Sequence, residues 1–462
     1  MADTLTFLGG AGTVTGSKFL LRTGSTTMLV DAGLFQGLKQ LRLRNWAAFP
    51  LPPPELDGVV LTHAHLDHCG YLPALARDGL ACPVLATPST LELATLVLRD
   101  SAALQEEDAA YARRGGWSKH ASPQPLYDRG DVARLDPLLT PTEFGETAHI
   151  GPTEVTLTPA GHILGSAVVR VTTPTTRVVV SGDLGRPSHP LLVAPGRRPD
   201  ADVVLVESTY GNRRHATDPA EQLADALGRC LRRGGVAVIP AFAVDRTEVL
   251  LLTLRRLMAD GRVPQVPVFV DSPMALAALQ VYRDAVARGD ADVRPHRRMN
   301  RAFDPGDLRE VHDADESRAI NDPGFPCIIV SASGMATGGR VVHHLKHRLP
   351  DPSAMVLLVG FQAAGTRGRS LLEGARHLRM HGRMVPVRAE VVGVDGFSVH
   401  ADSDGLLAWL ASAPAPRMVH VVHGEPSASQ ALADRITAEL GWSAAVAEDG
   451  KVVDLGGASA HR

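Results

Sequence analysis

Three imidazoles and one carboxylate lie within six positions of one short segment, namely His63, His65, Asp67 and His68. The segment follows the apolar run Gly58–Thr62, which we predict to be a strand. So many polar side chains cannot all be satisfied inside a core, but they suit divalent ions of borderline softness such as zinc. A tight loop after the strand would project His63 and His65 the same way, with Asp67 and His68 at the start of a helix. The spacing predicts two sets of metal ligands.

Two later strand ends carry residues of the same kinds. His162 follows the predicted strand Glu154–Thr158, and Asp183 follows the predicted strand Arg177–Ser181. Alone, a histidine after glycine is more often structural than a ligand, and a single Gly-Asp-Leu-Gly is usually a turn. A centre for two metal ions needs about six protein ligands and a bridging carboxylate. Beside the first cluster, both residues therefore become candidate ligands.

The surrounding sequence shows two different patterns of predicted secondary structure. Short apolar runs bounded by glycine or turn residues fill the first 210 residues and predict strands, and a strand-rich texture returns after about residue 386. Between them, from about residue 219, helices and strands alternate, which is typical of βαβ units and a mostly parallel sheet. The simplest account is an α/β domain (1–208 and 386–462) interrupted by a second α/β domain (209–385).

A polar stretch from Arg99 to Glu146 has a weaker pattern than its surroundings. We treat this stretch as a candidate lid. Tyr111, Lys119 and His120 are the residues that would close it over a cleft.

The composition is that of a globular protein, with 44% hydrophobic and 21% charged residues among 462. No apolar run approaches the roughly 18 residues of a membrane-spanning helix, and no secretory signal is visible, so no membrane partner is expected. The four cysteines form no CxxC pair, which favours a reducing cytoplasm. The aromatic share of 4% makes base stacking an improbable main source of nucleic-acid binding.

The net charge of -3 conceals an asymmetry. Residues 209–385 contain 25 Lys and Arg against 19 Asp and Glu, a balance of +6, whereas the remainder contains 22 against 31, a balance of -9. An acidic body fits a site that gathers cations, and a basic segment fits one that meets phosphate. Ordinary surface variation explains the same numbers equally well.

The motifs together resemble those of the metallo-β-lactamase superfamily. The matching residues, in chain order, are Asp31 in Leu29-Val30-Asp31-Ala32-Gly33, the cluster His63, His65, Asp67 and His68, then His162 and Asp183. The rest of the chain is similar to the nucleic-acid-processing branch, the β-CASP proteins. Glu207, His400 and His423 match the key residues of that branch's motifs A, B and C. The resemblance covers nearly the whole chain, and the layout is that of the bacterial cleavage-and-polyadenylation-specificity-factor-like ribonucleases.

The resemblance implies a fold and a ligand set. The fold is a metallo-β-lactamase αββα sandwich interrupted by an inserted α/β β-CASP domain. One metal ion would be held by His63, His65 and His162, the other by Asp67, His68 and His423, with Asp183 bridging them. Zinc suits these ligands best, although manganese or iron would also be accepted. Asp67 and Asp183 would also serve catalysis, because the two ions share an attacking hydroxide.

Three further residues receive roles around the metal ligands. Asp31 would orient a ligand imidazole through its free N–H. His400 would donate a proton to the leaving ribose oxygen or steady a phosphate oxygen, and Glu207 would hold and charge that imidazole. His420 lies three positions before His423 and should point to the opposite face of its strand, so it is left out of the site.

The inserted segment carries candidate substrate contacts. The loop from Ser331 to Gly339 lies between a predicted strand and a helix, where small residues and a helix N-terminus favour a phosphate; tight packing would explain it equally well. Ser331, Ser333 and Gly334 are its candidate contacts, and Arg367 and Arg369 would reach further phosphates. One departure from the family is Asp245, which stands where glycine is usual and would put an acid near a loop facing substrate.

These observations favour a zinc-dependent ribonuclease that acts in a cleft between the two domains. It would cut RNA mainly internally and also from a 5′ end, preferring single-stranded RNA. DNA is not excluded as a substrate, since no contact to a 2′-hydroxyl is identified, and a homodimer is compatible with the sequence. The alternatives are a small-molecule metallo-hydrolase acting on a thioester, lactone or lactam, and a nucleic-acid-binding protein without catalysis.

Overall fold

A computed structural model describes residues 3–115, 122–215, 219–297, 301–360, 362, 365–394 and 396–456. Its contacts divide the chain into two compact units, which we call unit 1 (Met1–Arg214 with His400–Arg462) and unit 2 (His215–Val399). The domain limits proposed from the sequence, 208/209 and 385/386, stay a prediction. Within the described ranges, no helix is both long enough and apolar enough to cross a membrane.

The first part of unit 1 alternates strands with a few helices. The strands are β1 Thr4–Gly9, β2 Lys18–Thr23, β3 Thr26–Val30, β4 Gly58–Val60, β5 Val84–Ala86, β6 Leu139–Pro141, β7 Thr147–Ile150, β8 Thr153–Pro159, β9 Ala167–Thr172, β10 Arg177–Val180 and β11 Val203–Glu207. The helices are α1 Lys39–Arg44, α2 Leu66–Cys69, α3 Leu72–Arg77, α4 Pro88–Gly115 and α5 Arg129–Ala133.

Unit 2 comes next, with a regular alternation of helix and strand. Its helices are α6 Pro219–Arg232, α7 Arg246–Ala259, α8 Pro273–Arg288, α9 Ala314–Ala319, α10 Arg340–Arg348 and α11 Arg367–Leu372. Its strands are β12 Val236–Pro240, β13 Val268–Val270, β14 Leu308–Glu310, β15 Cys327–Ser331, β16 Met355–Leu358, β17 His377–Met380, β18 Arg383–Pro386 and β19 Glu390–Gly393. Six strands form a sheet in the order β14-β13-β15-β12-β16-β19, and every pairing in it is parallel.

The chain then returns to unit 1, where its last strands complete the two sheets and two helices accompany them. They are α12 Ser403–Ala411, β20 Met418–Val422, α13 Pro426–Arg435, β21 Ala444–Val446 and β22 Val452–Asp454. The first sheet has the order β22-β1-β2-β3-β4-β5-β6, and the second has the order β21-β20-β11-β10-β9-β8-β7. The last strands therefore pair with strands formed hundreds of residues earlier.

Apolar side chains fix four layers in unit 1. Leu21 and Met28 of the first sheet pack with Val169 and Val178 of the second in one buried cluster, which makes the two sheets a sandwich. On the outer face of the second sheet, residues of α12 and α13 pack on β10, β11 and β20. Helices α3, α4 and α5 lie together beside Leu61 at the end of β4. This αββα unit and the parallel sheet of unit 2 confirm the predicted fold class.

Two expectations about local structure were incomplete. The sequence predicts a strand-rich segment after residue 386, but that segment also forms α12 and α13, whose apolar faces cover the second sheet. The candidate lid is largely regular structure: α4 continues to Gly115 because buried Ala102 and Ala109 extend its inner face beneath a polar outer face. Tyr111 lies exposed on α4, while Lys119 and His120 lie outside the described residues.

Ser17 and Lys18, at the start of β2, lie near the segment His63–His68, and Lys18 is buried. The Ser17 amide donates to the Asp67 carbonyl at 2.9 Å, and the Lys18 ammonium lies 4.3 Å from the Phe35 ring centroid and 4.9 Å from that of Tyr71. Burial, aided by the charge of Arg44, lowers the pKa of Lys18 from 10.5 to about 7. The folded protein therefore binds fewer protons at this position than the unfolded chain between about pH 7 and 10.5.

We expect Lys18→Met to raise the free energy of unfolding at pH 7 by up to about 4 kcal/mol, with a smaller gain at higher pH. Unfolding takes up a proton at Lys18 in this window, so the stability of the wild type rises with pH while this contribution is absent from the variant. Urea denaturation at pH 7 and pH 9.5 measures the difference. Identical pH dependence in the two proteins would contradict the assignment.

Candidate metal centre

The cluster at His63–His68 lies where β4 leaves the first sheet. The Asp31 amide donates to the Val60 carbonyl at 2.8 Å, and α2 begins directly after His65, whose carbonyl accepts from the His68 amide at 2.9 Å. His63 and His68 are buried, and His65 is partly exposed. The chain thus turns from strand to helix within the five residues between Val60 and Leu66, and this turn aims the side chains into one space.

A loop from the second sheet brings Asp183 to the same space. Gly182 has a φ of +56°, and a Cβ placed on it would lie 2.7 Å from the Cβ of Thr62. Only glycine allows both this left-handed backbone and this close approach. His162 is held nearby by its amide, which donates to Ser166 Oγ at 3.0 Å. Loops from the two sheets therefore meet over one site.

Two adjacent parallel strands supply the remaining groups. In the pairing of β11 with β20, Glu207 lies beside Val422, so His423 comes next at the same sheet edge. The His423 amide donates to the Gly10 carbonyl at 2.6 Å, and its own carbonyl accepts from the Ser208 amide at 3.2 Å. Neighbouring parallel strands end at one edge, which is why residues far apart in sequence meet here.

Four donor atoms from His63, His65, His162 and Asp183 form the first group. His65 Nδ1 lies 3.1 Å from His63 Nε2 and 3.3 Å from His162 Nε2. Asp183 Oδ2 lies 3.5 Å and 3.6 Å from the same two Nε2 atoms. Donors bound to one tetrahedral zinc ion would be roughly 3.3 Å apart, given bonds of about 2.0–2.1 Å. The group therefore has the spacing of one metal site.

The second group consists of Asp67, His68 and His423. His423 Nε2 lies 3.5 Å from Asp67 Oδ2, and His68 Nε2 lies 3.3 Å from Asp183 Oδ1. Asp183 Oδ1 also lies 2.6 Å from His423 Nδ1. One oxygen of Asp183 thus faces each group.

A separate observation, on unpaired buried nitrogen atoms, also indicates that these residues could bind metal ions. Both His68 Nε2 and His423 Nε2 are buried and have no hydrogen-bond partner among the described residues. A buried polar atom left without a partner costs free energy, so it is rare in a folded protein unless water, an ion or a ligand satisfies it. The two atoms belong to the second donor group, where a cation would satisfy both.

The protonation states of the side chains in the first group also favour binding of a cation. Burial, followed by the charge of neighbouring histidines, lowers the pKa of His63 and His162 well below the usual range. Burial acts to raise the pKa of Asp183, but His423 and His68 outweigh it and hold that pKa well below its ordinary value. Neutral imidazoles and an ionised carboxylate are the forms that bind metal.

Asp31 orients His68 from behind. Its Oδ2 lies 2.8 Å from His68 Nδ1, and its two oxygens accept from the Thr62 amide and hydroxyl at 2.8 and 2.9 Å. The Thr62 hydroxyl also lies 3.0 Å from His63 Nδ1. Thr62 was missed in the sequence analysis, although its place directly before His63 is a signal. Its hydroxyl links Asp31 to His63 and His68.

Asp31→Asn should weaken metal binding by roughly 10–100-fold. With the Asn oxygen still accepting from the Thr62 amide, its NH2 group would face His68 Nδ1, and the imidazole would have to turn or change tautomer. Competition against a chromophoric zinc chelator measures the affinity. The matched control is Asp57→Asn, the same change at an exposed carboxylate that accepts from the Thr27 amide at 2.7 Å. Equal affinities in the two variants would argue against this role.

Glu207 and His400 lie beside Asp183 at the same site. Glu207 is fully buried and accepts from the amides of Leu184 and Thr209 at 2.8 and 3.1 Å. His400 Nδ1 lies 3.1 Å from Glu207 Oε1, and its side chain is 18% exposed. Burial acts to lower the pKa of His400, but the charge and hydrogen bond of Glu207 outweigh it, so this pKa is raised. The result is a partly exposed imidazole held by a buried carboxylate.

Tyr210 is a second residue that the sequence analysis missed. Its ring centroid lies 6.0 Å from that of His400.

His420, by contrast, is buried beside Phe7 with ring centroids 5.3 Å apart, within the core of unit 1. Burial lowers the pKa of His420 to about 4, so it is a neutral core residue.

The five predicted substrate contacts lie in unit 2, and their role stays a prediction. Ser331 is buried, and its hydroxyl donates to the Asp271 carbonyl at 2.7 Å, while Gly334 is also buried. Arg367 donates to the carbonyls of Ala336, Thr337 and Arg379, and Arg369 pairs with Glu373 at 2.7 Å. Ser333 lies 2.9 Å from the Thr337 hydroxyl and is partly exposed.

Asp245 does not present an acid to a surface loop, as the sequence suggested. It is buried, and its Oδ1 accepts from the Tyr282 hydroxyl at 3.0 Å. Its φ of +67° lies in the left-handed region, which explains why glycine would be usual at this position. The side chain turns inward and bonds within unit 2.

Comparison with known proteins gives matches along most of the chain. The metallo-beta-lactamase superfamily profile matches residues 11–239, the Beta-Casp domain profile residues 247–371, and the Zn-dependent metallo-hydrolase RNA specificity domain profile residues 384–447. A crystal structure of a protein of unknown function from Enterococcus faecalis V583 has a TM-score of 0.54 at 14% identity, covering 98% of this chain and 100% of that one. That likeness bears on the fold alone.

Two relatives extend the match in sequence. Ribonuclease TTHA0252 of Thermus thermophilus is 37% identical over 450 residues, covering 97% of this chain and 99% of the relative. Transcription termination factor FttA of Pyrococcus horikoshii is 31% identical over 470 residues, covering 95% of this chain and 69% of the relative. With these matches and the motifs at Glu207, His400 and His423, the chain belongs to the β-CASP branch of the metallo-β-lactamase superfamily.

Proposed function

We propose that this protein is a zinc-dependent ribonuclease that hydrolyses RNA phosphodiester bonds, mainly internally and also from a 5′ end. The observation that carries the proposal is the placement of Asp183, whose two oxygens face two separate groups of donors. A carboxylate so placed suits a pair of divalent ions, and hydrolysis of a charged phosphodiester is chemistry that such pairs serve. The protein is a metal-dependent hydrolase of the ribonuclease class.

The residues of the site would have separate roles in binding metal ions and in proton transfer. His63, His65 and His162 would hold one ion, Asp67, His68 and His423 the other, and Asp183 both. Bound ions of this kind supply Lewis acidity toward a phosphate and make a water molecule more acidic. His400 donates a proton from its imidazole to the departing ribose oxygen, and Glu207 fixes the ring through its Nδ1. His400 Nε2 is then the atom that faces the substrate.

Three observations favour RNA over small esters as the substrate. The relatives with the same motifs bear the names of a ribonuclease and a transcription termination factor. A small-molecule hydrolase would also leave the inserted segment of residues 209–385 without a role. The charge of +6 over residues 209–385 agrees with a phosphate-rich partner.

The test is digestion of a single-stranded RNA labelled at either end by protein whose metal content has been quantified. Internal products that disappear on chelation and return with zinc would support the proposal, and products one nucleotide long from the 5′ end would support trimming. Two bound zinc ions without cleavage of RNA would refute it. Turnover of a thioester or lactone would then indicate the small-molecule reaction, and tight RNA binding without products a non-catalytic protein. Parallel digestion of DNA measures the preference for ribose.

A further inference from the structure

An imbalance of charge concentrates at one end of unit 2. Residues 340–388 contain nine Lys and Arg but only two Asp and Glu, and they include α10 and the antiparallel pair β17–β18. Elsewhere in unit 2, at least seven arginines lie in ion pairs, such as Arg229 with Glu390 at 2.9 Å and Arg318 with Asp315 at 2.5 Å. The segment therefore differs from the rest of its unit.

Five cations of this segment have no acidic partner within the described ranges. They are Lys346, Arg376, Arg379, Arg383 and Arg388, and we call them the hairpin–α10 surface. The four arginines are exposed, and Lys346 is partly exposed. Surface cations left unneutralised repel one another, so a folded protein keeps such a group most readily where an anion binds.

The geometry makes these cations one surface. The hairpin turns at His381 and Gly382, whose φ angles are +44° and +77°, as in the tight turns that join two strands. The His381 ring centroid lies 4.4 Å from that of His343 in α10. At the other end of the hairpin, the Arg388 amide donates to the Leu349 carbonyl, just after α10, at 2.7 Å. The hairpin is thus held near α10 both at its turn and just beyond its last strand.

Alternation along β17 keeps the cationic side outward. Leu378 and Met380 are buried with Val342 and Leu345 of α10 in one cluster, whereas His377 and Arg379 are exposed. Across the hairpin, Arg379 pairs with the exposed Met384. The core holds the inner face, the outer face of β17 presents Arg379, and Arg383 is exposed beside the turn.

We propose that the hairpin–α10 surface binds the phosphate backbone of RNA, a proposal that rests on the proposed function. Guanidinium groups bind phosphate oxygens in bidentate fashion and carry no base specificity, so the contact would add affinity for any RNA sequence. An acidic protein segment is the rival occupant. The surface lies outside the metal centre, and its loss should leave the chemistry of that centre intact.

The test compares two double variants of equal charge. Arg379→Gln/Arg383→Gln removes cations of the surface, whereas Arg262→Gln/Arg318→Gln removes exposed arginines that pair with Glu221 and Asp315. Binding of a labelled 30-nucleotide single-stranded RNA is measured by anisotropy over a series of KCl concentrations, in a His400→Ala background that slows turnover. The first variant should lower the slope of log K against log [KCl] by about 1.4, at about 0.7 per phosphate contact. The control variant should keep the slope of the parent.

The outcomes separate the two proposals. With otherwise wild-type protein, both double variants should hydrolyse bis(p-nitrophenyl) phosphate normally and melt at the wild-type temperature. Equal slopes in the two variants, in a protein whose wild type cleaves RNA, would overturn the surface alone. Loss of binding to polyglutamate but not to RNA would also overturn it, in favour of an acidic protein. A wild type that cleaves no RNA would instead refute the proposed function.

Discussion

Asp183→Asn is expected to reduce RNA hydrolysis to background and to release metal. Its carboxylate is the group common to both sets of donors, with Oδ2 3.5 Å from His63 Nε2 and Oδ1 3.3 Å from His68 Nε2. The Asn side chain keeps the shape but loses the charge, and its NH2 group cannot coordinate a cation. Metal content by mass spectrometry and cleavage of end-labelled RNA, measured on the same samples, are the readouts.

Loss of activity through unfolding of Asp183→Asn must be excluded. Asp183 is buried among imidazoles, so its loss will also lower stability, and far-ultraviolet circular dichroism must show an intact fold at the assay temperature. Asp57→Asn again serves as the matched control and should retain both metal and activity. A folded Asp183→Asn protein that retains two ions and cuts RNA would disprove the bridging role.

His400→Ala is expected to slow RNA cleavage by roughly 10²–10⁴-fold while metal content is unchanged. The imidazole is held by Glu207 at 3.1 Å and groups with Asp183 and Glu207 rather than with the two sets of donors that would hold the ions. If His400 protonates the leaving oxygen, its loss should slow the release of ribose, because an unprotonated ribose oxygen is a poor leaving group. It should matter little for p-nitrophenolate, which departs without a proton.

Two substrates therefore distinguish proton donation from a structural role. RNA cleavage should fall steeply in His400→Ala, and hydrolysis of bis(p-nitrophenyl) phosphate should stay within a few fold of wild type. His149→Ala, which removes an exposed histidine of unit 1, should change neither rate. An equal loss on both substrates would mean that His400 steadies a phosphate oxygen instead.

The clustering of the candidate metal ligands could be predicted from the sequence because several of them stand in short runs at strand ends. His63, His65, Asp67 and His68 occupy one turn, and turns after strands project side chains together whatever the rest of the fold does. The grouping with His162 and His423 came only from the family resemblance. Spacing alone cannot pair residues that lie far apart in the chain with particular partners; strand order decides that, and strand order depends on the whole sandwich.

Other features were missed for identifiable reasons. The hairpin β17–β18 turns at His381-Gly382 rather than at the usual Asn-Gly, and its outer face is cationic, so neither the turn nor the alternation stood out. Helix α12 has an N-terminal signal in Asp402, which accepts from the Gly405 amide at 3.0 Å, but Gly405 itself weakened the helical pattern. Burial of Asp245 could not be foreseen, because its orientation depends on Tyr282.

The pairing of β11 with β20 has a consequence for biosynthesis. Glu207 ends β11 and Met418 begins β20, 211 positions later, with all of unit 2 between them. At about 5–20 residues per second, a ribosome takes roughly 10–40 s to make this stretch. Until residue 423 emerges, the growing chain has most of its ligands but neither His400 in place nor His423. Under the proposed function, the nascent chain therefore lacks a complete site until this stretch has been translated.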